Sequence, residues 1–80
     1  MDDFDFTAYF ESEVLRKRRY LTKELCIRVV RSPLRTEVQP DGRVRYWAVV
    51  DELGGRMLRV VTVADRSTIH NAFIDGGFEP

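Results

Sequence analysis

Apolar and polar side chains alternate with a period of two from Val44 to Phe73, whereas before Pro33 the apolar residues recur every three to four positions. The change of period predicts helices first and strands after. The first helix is expected over residues 7–19. Thr7 supplies its cap, Phe10, Val14 and Lys17 share a stripe, and Glu11 and Glu13 precede Arg16 to Arg19, the order of charge that complements a helix dipole. Thr22 reads as the cap of a second helix with Glu24 in its first turn and Leu25, Cys26, Val29 and Val30 as its packing stripe, and Ser32-Pro33 ends it. Four strands are expected over residues 34–39, 43–50, 56–63 and 68–74, separated by Pro40-Asp41-Gly42, by Asp51 to Gly55 and by Ala64 to Ser67. The predicted fold is α+β, two N-terminal helices packed on a four-stranded antiparallel meander. It forms one domain over residues 1–80, with residues 1–6 and 75–80 as irregular ends.

Centring each hairpin on its turn sets Ala48 opposite Leu58, Tyr46 opposite Val60 and Val44 opposite Thr62. The same rule sets Leu58 opposite Phe73, Val60 opposite Asn71 and Thr62 opposite Ile69. With Thr36 and Val38, these residues make an apolar face that is expected under the helices. The other face collects two cross-strand rows, Glu37–Arg45–Val61–His70 and Arg35–Trp47–Arg59–Ala72, with Arg43, Val49 and Met57 beside them. Arginines, the single tryptophan and the single histidine thus fall on one open surface.

Composition narrows the chemistry. Eighty residues make one domain with a small core. One cysteine, Cys26, excludes a disulfide framework and a cysteine-rich zinc site. No apolar run approaches a membrane span, and Asp2, Asp3 and Asp5 open the chain with the wrong charge for a signal peptide, so a cytoplasmic protein without membrane contact is expected. The net charge is zero, yet residues 16–45 hold ten bases against three acids. Such a basic stretch steers polyanions without making the whole chain basic. Gly54-Gly55 and Gly76-Gly77 lack the residues of a phosphate loop, no serine sits in a nucleophile elbow, and the acids are dispersed, so neither a cofactor nor a metal is expected.

Metal-free RNA cleavage asks for a proton acceptor at a 2′-hydroxyl and cations for the charge developing on phosphorus. His70 is the side chain whose ordinary titration suits the first task. Arg45 and Arg59 suit the second, Trp47 offers a stacking platform, Arg35, Arg43 and Arg19 are further candidate RNA contacts, and Glu37 is placed to orient Arg45. Each has a plainer reading: a surface histidine, a cation–π cover on a solvated sheet, a solvated helix end.

Arg19-Tyr20-Leu21-Thr22, Ser32-Pro33, Gly42-Arg43-Val44-Arg45-Tyr46-Trp47, the strand Leu58-Arg59-Val60-Val61-Thr62-Val63 and the strand Thr68-Ile69-His70-Asn71-Ala72-Phe73 together give the chain its family likeness. It resembles small bacterial and phage domains related to BrnT-type toxins and, more distantly, the RelE/ParE and barnase–colicin ribonucleases. The resemblance implies two helices on an antiparallel sheet whose open face binds and cuts RNA, and a neutralising partner protein that covers that face. Related domains often carry a His-x-x-x-Arg pair in the first helix, and Glu11 and Leu15 stand at those positions here. Two readings follow: a metal-independent endoribonuclease of toxin type, or a silent member of the fold that binds nucleic acid or a protein. A small structural domain is a third, and a monomer or weak homodimer is expected.

Overall fold

The computed structural model describes residues 4–78. Five strands form one sheet: β1 (Asp5–Phe6), β2 (Arg35–Val38), β3 (Val44–Val50), β4 (Arg56–Thr62) and β5 (Thr68–Ile74), in the order β1-β5-β4-β3-β2. β2 to β5 run antiparallel to their neighbours, but β1 pairs with β5 in parallel, Asp5 beside Thr68 and Phe6 beside Ile69. The expected four-stranded antiparallel meander is therefore corrected to a five-stranded mixed sheet, and the expected irregular start is corrected at Asp5 and Phe6. Met1, Asp2 and Asp3 lie outside the described residues, as do Glu79 and Pro80. Backbone bonds from Asp5 N–H to Ser67 O and from Thr7 N–H to Ile69 O, both 3.0 Å, secure the extra strand. Half-buried Phe4 and Phe6 pack on the core.

Thr7 caps the first helix, α1 (residues 8–17), by accepting Phe10 N–H at 3.1 Å on its side-chain oxygen. The helix widens into a π-helical stretch over Phe10–Val14 and stops at Lys17, two residues before the expected end. α2 (Lys23–Arg31) begins at Thr22, whose Oγ1 accepts Leu25 N–H at 3.1 Å, and ends at Ser32 before Pro33. No helix among the described residues is long and apolar enough to cross a membrane.

The core lies between the helices and one face of the sheet. Phe10, Val14, Leu21, Cys26 and Val29 meet Val44, Tyr46, Val50, Leu58, Val60, Ile69 and Ala72, all buried. Burial pushes the Cys26 thiol up to about 12, which leaves it a packing group. Tyr20 Oη accepts Ile74 N–H at 3.3 Å and ties the joint between the helices to the end of β5. α2 covers β3 and β4 and stops short of the sheet edge, so Thr36 and Val38, expected beneath the helices, are exposed.

The pairing of β3 with β4 is the expected one, with Ala48 opposite Leu58, Tyr46 opposite Val60 and Val44 opposite Thr62. The pairing of β4 with β5 differs. Thr62 does face Ile69, but Val61 then faces Asn71, Val60 faces Ala72 and Arg59 faces Phe73. A bulge between Val61 and Thr62 inserts one residue into β5 and reverses the faces of everything after it. Asn71 and Phe73, expected inside, lie on the opposite face, and Ala72, expected outside, is in the core. Thr62, at this irregularity, is fully buried, and its Oγ1 has no hydrogen-bond partner. An orphaned buried hydroxyl costs about 1–3 kcal/mol. Thr62→Val, which keeps the shape and removes the hydroxyl, is expected to raise stability by about 1 kcal/mol, read as an upward shift of several degrees in the thermal midpoint. An unchanged or lower midpoint would mean that the hydroxyl is satisfied.

Candidate nucleic-acid site

The sheet face away from the helices holds a cleft of about 320 Å³ lined by Tyr9, Gln39, Arg43, Arg45, Arg59, Val61, His70, Asn71 and Phe73. Its position follows from the two features that the strand pattern did not reveal. The bulge brings His70 and Asn71 to the same cleft, beside Val61, where strict alternation would separate them. The parallel pairing of β1 carries the chain past Ile69, so that Thr7 arrives next to His70 and Tyr9 follows in the first turn of α1.

His70 is half-buried, with Nδ1 3.1 Å from Thr7 Oγ1. The Tyr9 ring leans over the imidazole at 5.1 Å between centroids and 32°. Burial first, and the Arg43 charge second, hold His70 below its ordinary value of 6.5, which favours the neutral ring at pH 7. Phe10 N–H occupies one lone pair of the Thr7 oxygen. The second lone pair can take Nδ1–H, and that tautomer leaves the lone pair of Nε2 open to a ligand.

The arginines differ in how they are held. Arg45 Nη1 donates to Glu37 Oε1 at 3.1 Å. With the Gln39 amide turned so that its oxygen faces the guanidinium, that oxygen accepts from Arg45 Nε at 3.0 Å and Nη2 at 2.6 Å. Arg43 stands half-exposed with Asp41 3.8 Å away, a loose pair. Arg59 is the most enclosed of the three. Its guanidinium packs on Phe73 at 4.3 Å and on Trp47 at 5.8 Å, and Nε lies 3.5 Å from Asp75 Oδ2.

Trp47 does not stand open on this surface. It is 5% exposed, covered by Phe78 at 5.6 Å and by the Arg35 guanidinium at 5.7 Å, with Nε1–H donated to Asp75 Oδ2 at 2.9 Å. The stacking platform expected there is corrected to a buried anchor. The reason lies in residues 75–78, which turn back across the face and are themselves pinned by Gly77 N–H on Asp75 Oδ1. Arg35 also meets Phe78 at 5.9 Å and Glu37 at 3.5 Å, so it belongs to this cover. Arg19 sits exposed in the joint between the helices and does not line the cleft. The structure thus gathers His70, Arg43, Arg45 and Arg59 in one place, with Glu37 on Arg45, and leaves Trp47, Arg35 and Arg19 outside it. Thr7, Tyr9, Gln39 and Asn71 join the site without having been singled out for it.

A larger groove of about 770 Å³ runs along α2, lined by Tyr20, Leu25, Ile27 and Leu53. Arg28 and Glu52 close one another's charge across it at 2.7 and 2.9 Å. Its lining contains no histidine and no cysteine, whereas His70 lines the smaller cleft. Among the described residues no group of three or more histidines, cysteines or acids could hold a metal ion. No protein family, no curated protein and no solved structure matches this chain.

Proposed function

We propose that the His70 cleft is the site of a metal-independent endoribonuclease of toxin type. One observation carries the reading: a histidine favoured in its neutral form shares a small cleft with three arginines, and no carboxylate is among the lining residues. A neutral imidazole is a proton acceptor, and guanidinium groups complement the oxygens of a phosphodiester. In the proposed reaction, Nε2 takes the proton of the 2′-hydroxyl, the 2′-oxygen bonds to phosphorus, and the bond from phosphorus to the 5′-oxygen breaks. The 5′-oxygen leaves with a proton from water. The products are a 2′,3′-cyclic phosphate and a 5′-hydroxyl. Arg43, the looser of the cleft's guanidinium groups, meets the incoming phosphate. Arg45, fixed by Glu37 and Gln39, opposes the charge that builds on its oxygens. The likeness to BrnT-type toxins drawn from the sequence points the same way.

The test is incubation of purified protein with single-stranded RNA in EDTA, read on a gel and by end-group analysis. Fragments ending in cyclic phosphate are the expected result, and intact RNA after long incubation would overturn the reading. Retained binding without cleavage would move the protein to the silent nucleic-acid-binding reading. Binding itself is expected to weaken about tenfold between 50 and 200 mM salt, the change produced by neutralising two to three phosphates on a single strand. A dissociation constant by fluorescence anisotropy that ignores salt would mean that phosphate does not lead the contact.

A further inference from the structure

We propose that Tyr9 is the base-stacking residue of this cleft and that it restricts the ligand to RNA with an unpaired base beside the bound phosphate; the proposal rests on the RNA reading above. Trp47 cannot serve, being 5% exposed under Phe78 with its N–H spent on Asp75. Phe73 lines the cleft but already carries the guanidinium groups of Arg59 at 4.3 Å and Arg18 at 5.9 Å. Tyr9 is 45% exposed while lining the same cleft as Arg43, Arg45 and His70. It meets the His70 ring at a tilt of 32°, which is a contact at one side of the phenol and leaves ring surface to solvent.

Tyr9 is also held in place. It lies in the first turn of α1, two residues after Thr7, whose Oγ1 takes Phe10 N–H and reaches His70 Nδ1. An aromatic fixed to a short capped turn loses little freedom when a base settles on it. A base stacked there brings its own phosphate to Arg43 and Arg45 and its ribose toward His70. Bases inside a duplex are already stacked and paired and do not present a face to a single side chain, so the arrangement selects unpaired RNA.

The experiment compares three labelled ligands: a single-stranded oligonucleotide, the same strand in a duplex, and the same strand with abasic sites. Each is titrated into wild type, Tyr9→Phe and Tyr9→Leu by anisotropy, with thermal melts of all three proteins. Wild type is expected to prefer the intact single strand over both other ligands. Tyr9→Phe keeps that preference. Tyr9→Leu loses roughly ten- to a hundredfold on the intact strand and almost nothing on the abasic one. Equal affinity of wild type and Tyr9→Leu for the intact strand would overturn the role of Tyr9 and leave the RNA reading standing. No binding of any ligand to wild type would overturn both.

Discussion

His70→Ala is expected to reduce RNA cleavage by 10²–10⁴-fold, the usual range for removing a positioned acid–base group. The fold should survive. The ring is half-buried and its polar contact is the one to Thr7 Oγ1 at 3.1 Å, worth about 1 kcal/mol, which in a domain of this size lowers the thermal midpoint by about 4–8 °C. His70→Gln separates position from proton transfer, because an amide can hydrogen-bond to Thr7 and fill the same space but cannot accept the 2′-hydroxyl proton. It should melt closer to wild type and be as inactive as alanine. A His70→Gln variant that cuts RNA at the wild-type rate would remove His70 from the chemistry.

The pH profile carries a sign that can be checked in advance. Burial and Arg43 lower the His70 value, so the neutral ring prevails above a midpoint that lies below 6.5. Cleavage is therefore expected to rise with pH through that lowered midpoint and then level off. Arg43→Ala removes one of the two causes of the shift and should move the midpoint upward, toward the ordinary histidine range, besides weakening binding. Stability follows the same linkage. The unfolded chain binds the His70 proton more readily than the folded one, so this contribution is present above 6.5 and is lost as pH falls through the folded midpoint.

The helices and the β3–β4 ladder were legible because they rest on local signals. Thr7 and Thr22 are caps of the preferred residue type, Pro33 cannot continue a helix, and the apolar faces of β3 and β4 are closed by a tight turn with Gly54 and Gly55 at positive φ. What failed was non-local. A bulge adds one residue without altering composition, so strict alternation across β5 assigned Asn71, Ala72 and Phe73 to the wrong faces. β1 is two residues long, too short for a period, although Phe4 and Phe6 alternating with Asp5 and Thr7 carried a faint trace of it. The gathering of His70, Arg43, Arg45 and Arg59 on one face held because the β3–β4 register is the expected one and the bulge in β5 reverses only the residues that follow His70. Tyr9 and Thr7 were out of reach of that reasoning, since only the parallel pairing of β1 brings them there.

Trp47→Ala is expected to be the most damaging single change on this face, costing about 3–5 kcal/mol. A chain of this size has roughly 4–12 kcal/mol in all, so the variant should be partly unfolded at 37 °C. The cost arises because the indole is the point on which Phe78, Arg35 and Arg59 all pack and to which Asp75 is bonded. Trp47→Phe keeps most of the packing and removes only the donor to Asp75, whose side chain is 17% exposed, a loss of about 1.5–3 kcal/mol for a hydrogen bond to a charged group. It also changes the acid limb of the stability curve. The Trp47 hydrogen bond is the largest cause that lowers Asp75 below its ordinary 3.8, so in the wild type this contribution is present above 3.8 and is lost as pH falls through the folded value. In Trp47→Phe that loss should be smaller, and urea midpoints followed by circular dichroism from pH 5 down to pH 2 should fall less steeply. Folded Trp47→Phe is further expected to bind single-stranded RNA as wild type does, because the indole supports the cleft wall through Arg59 and does not line the cleft. Loss of RNA affinity in a fully folded Trp47→Phe protein would return the tryptophan to the ligand-contacting role that its buried position denies.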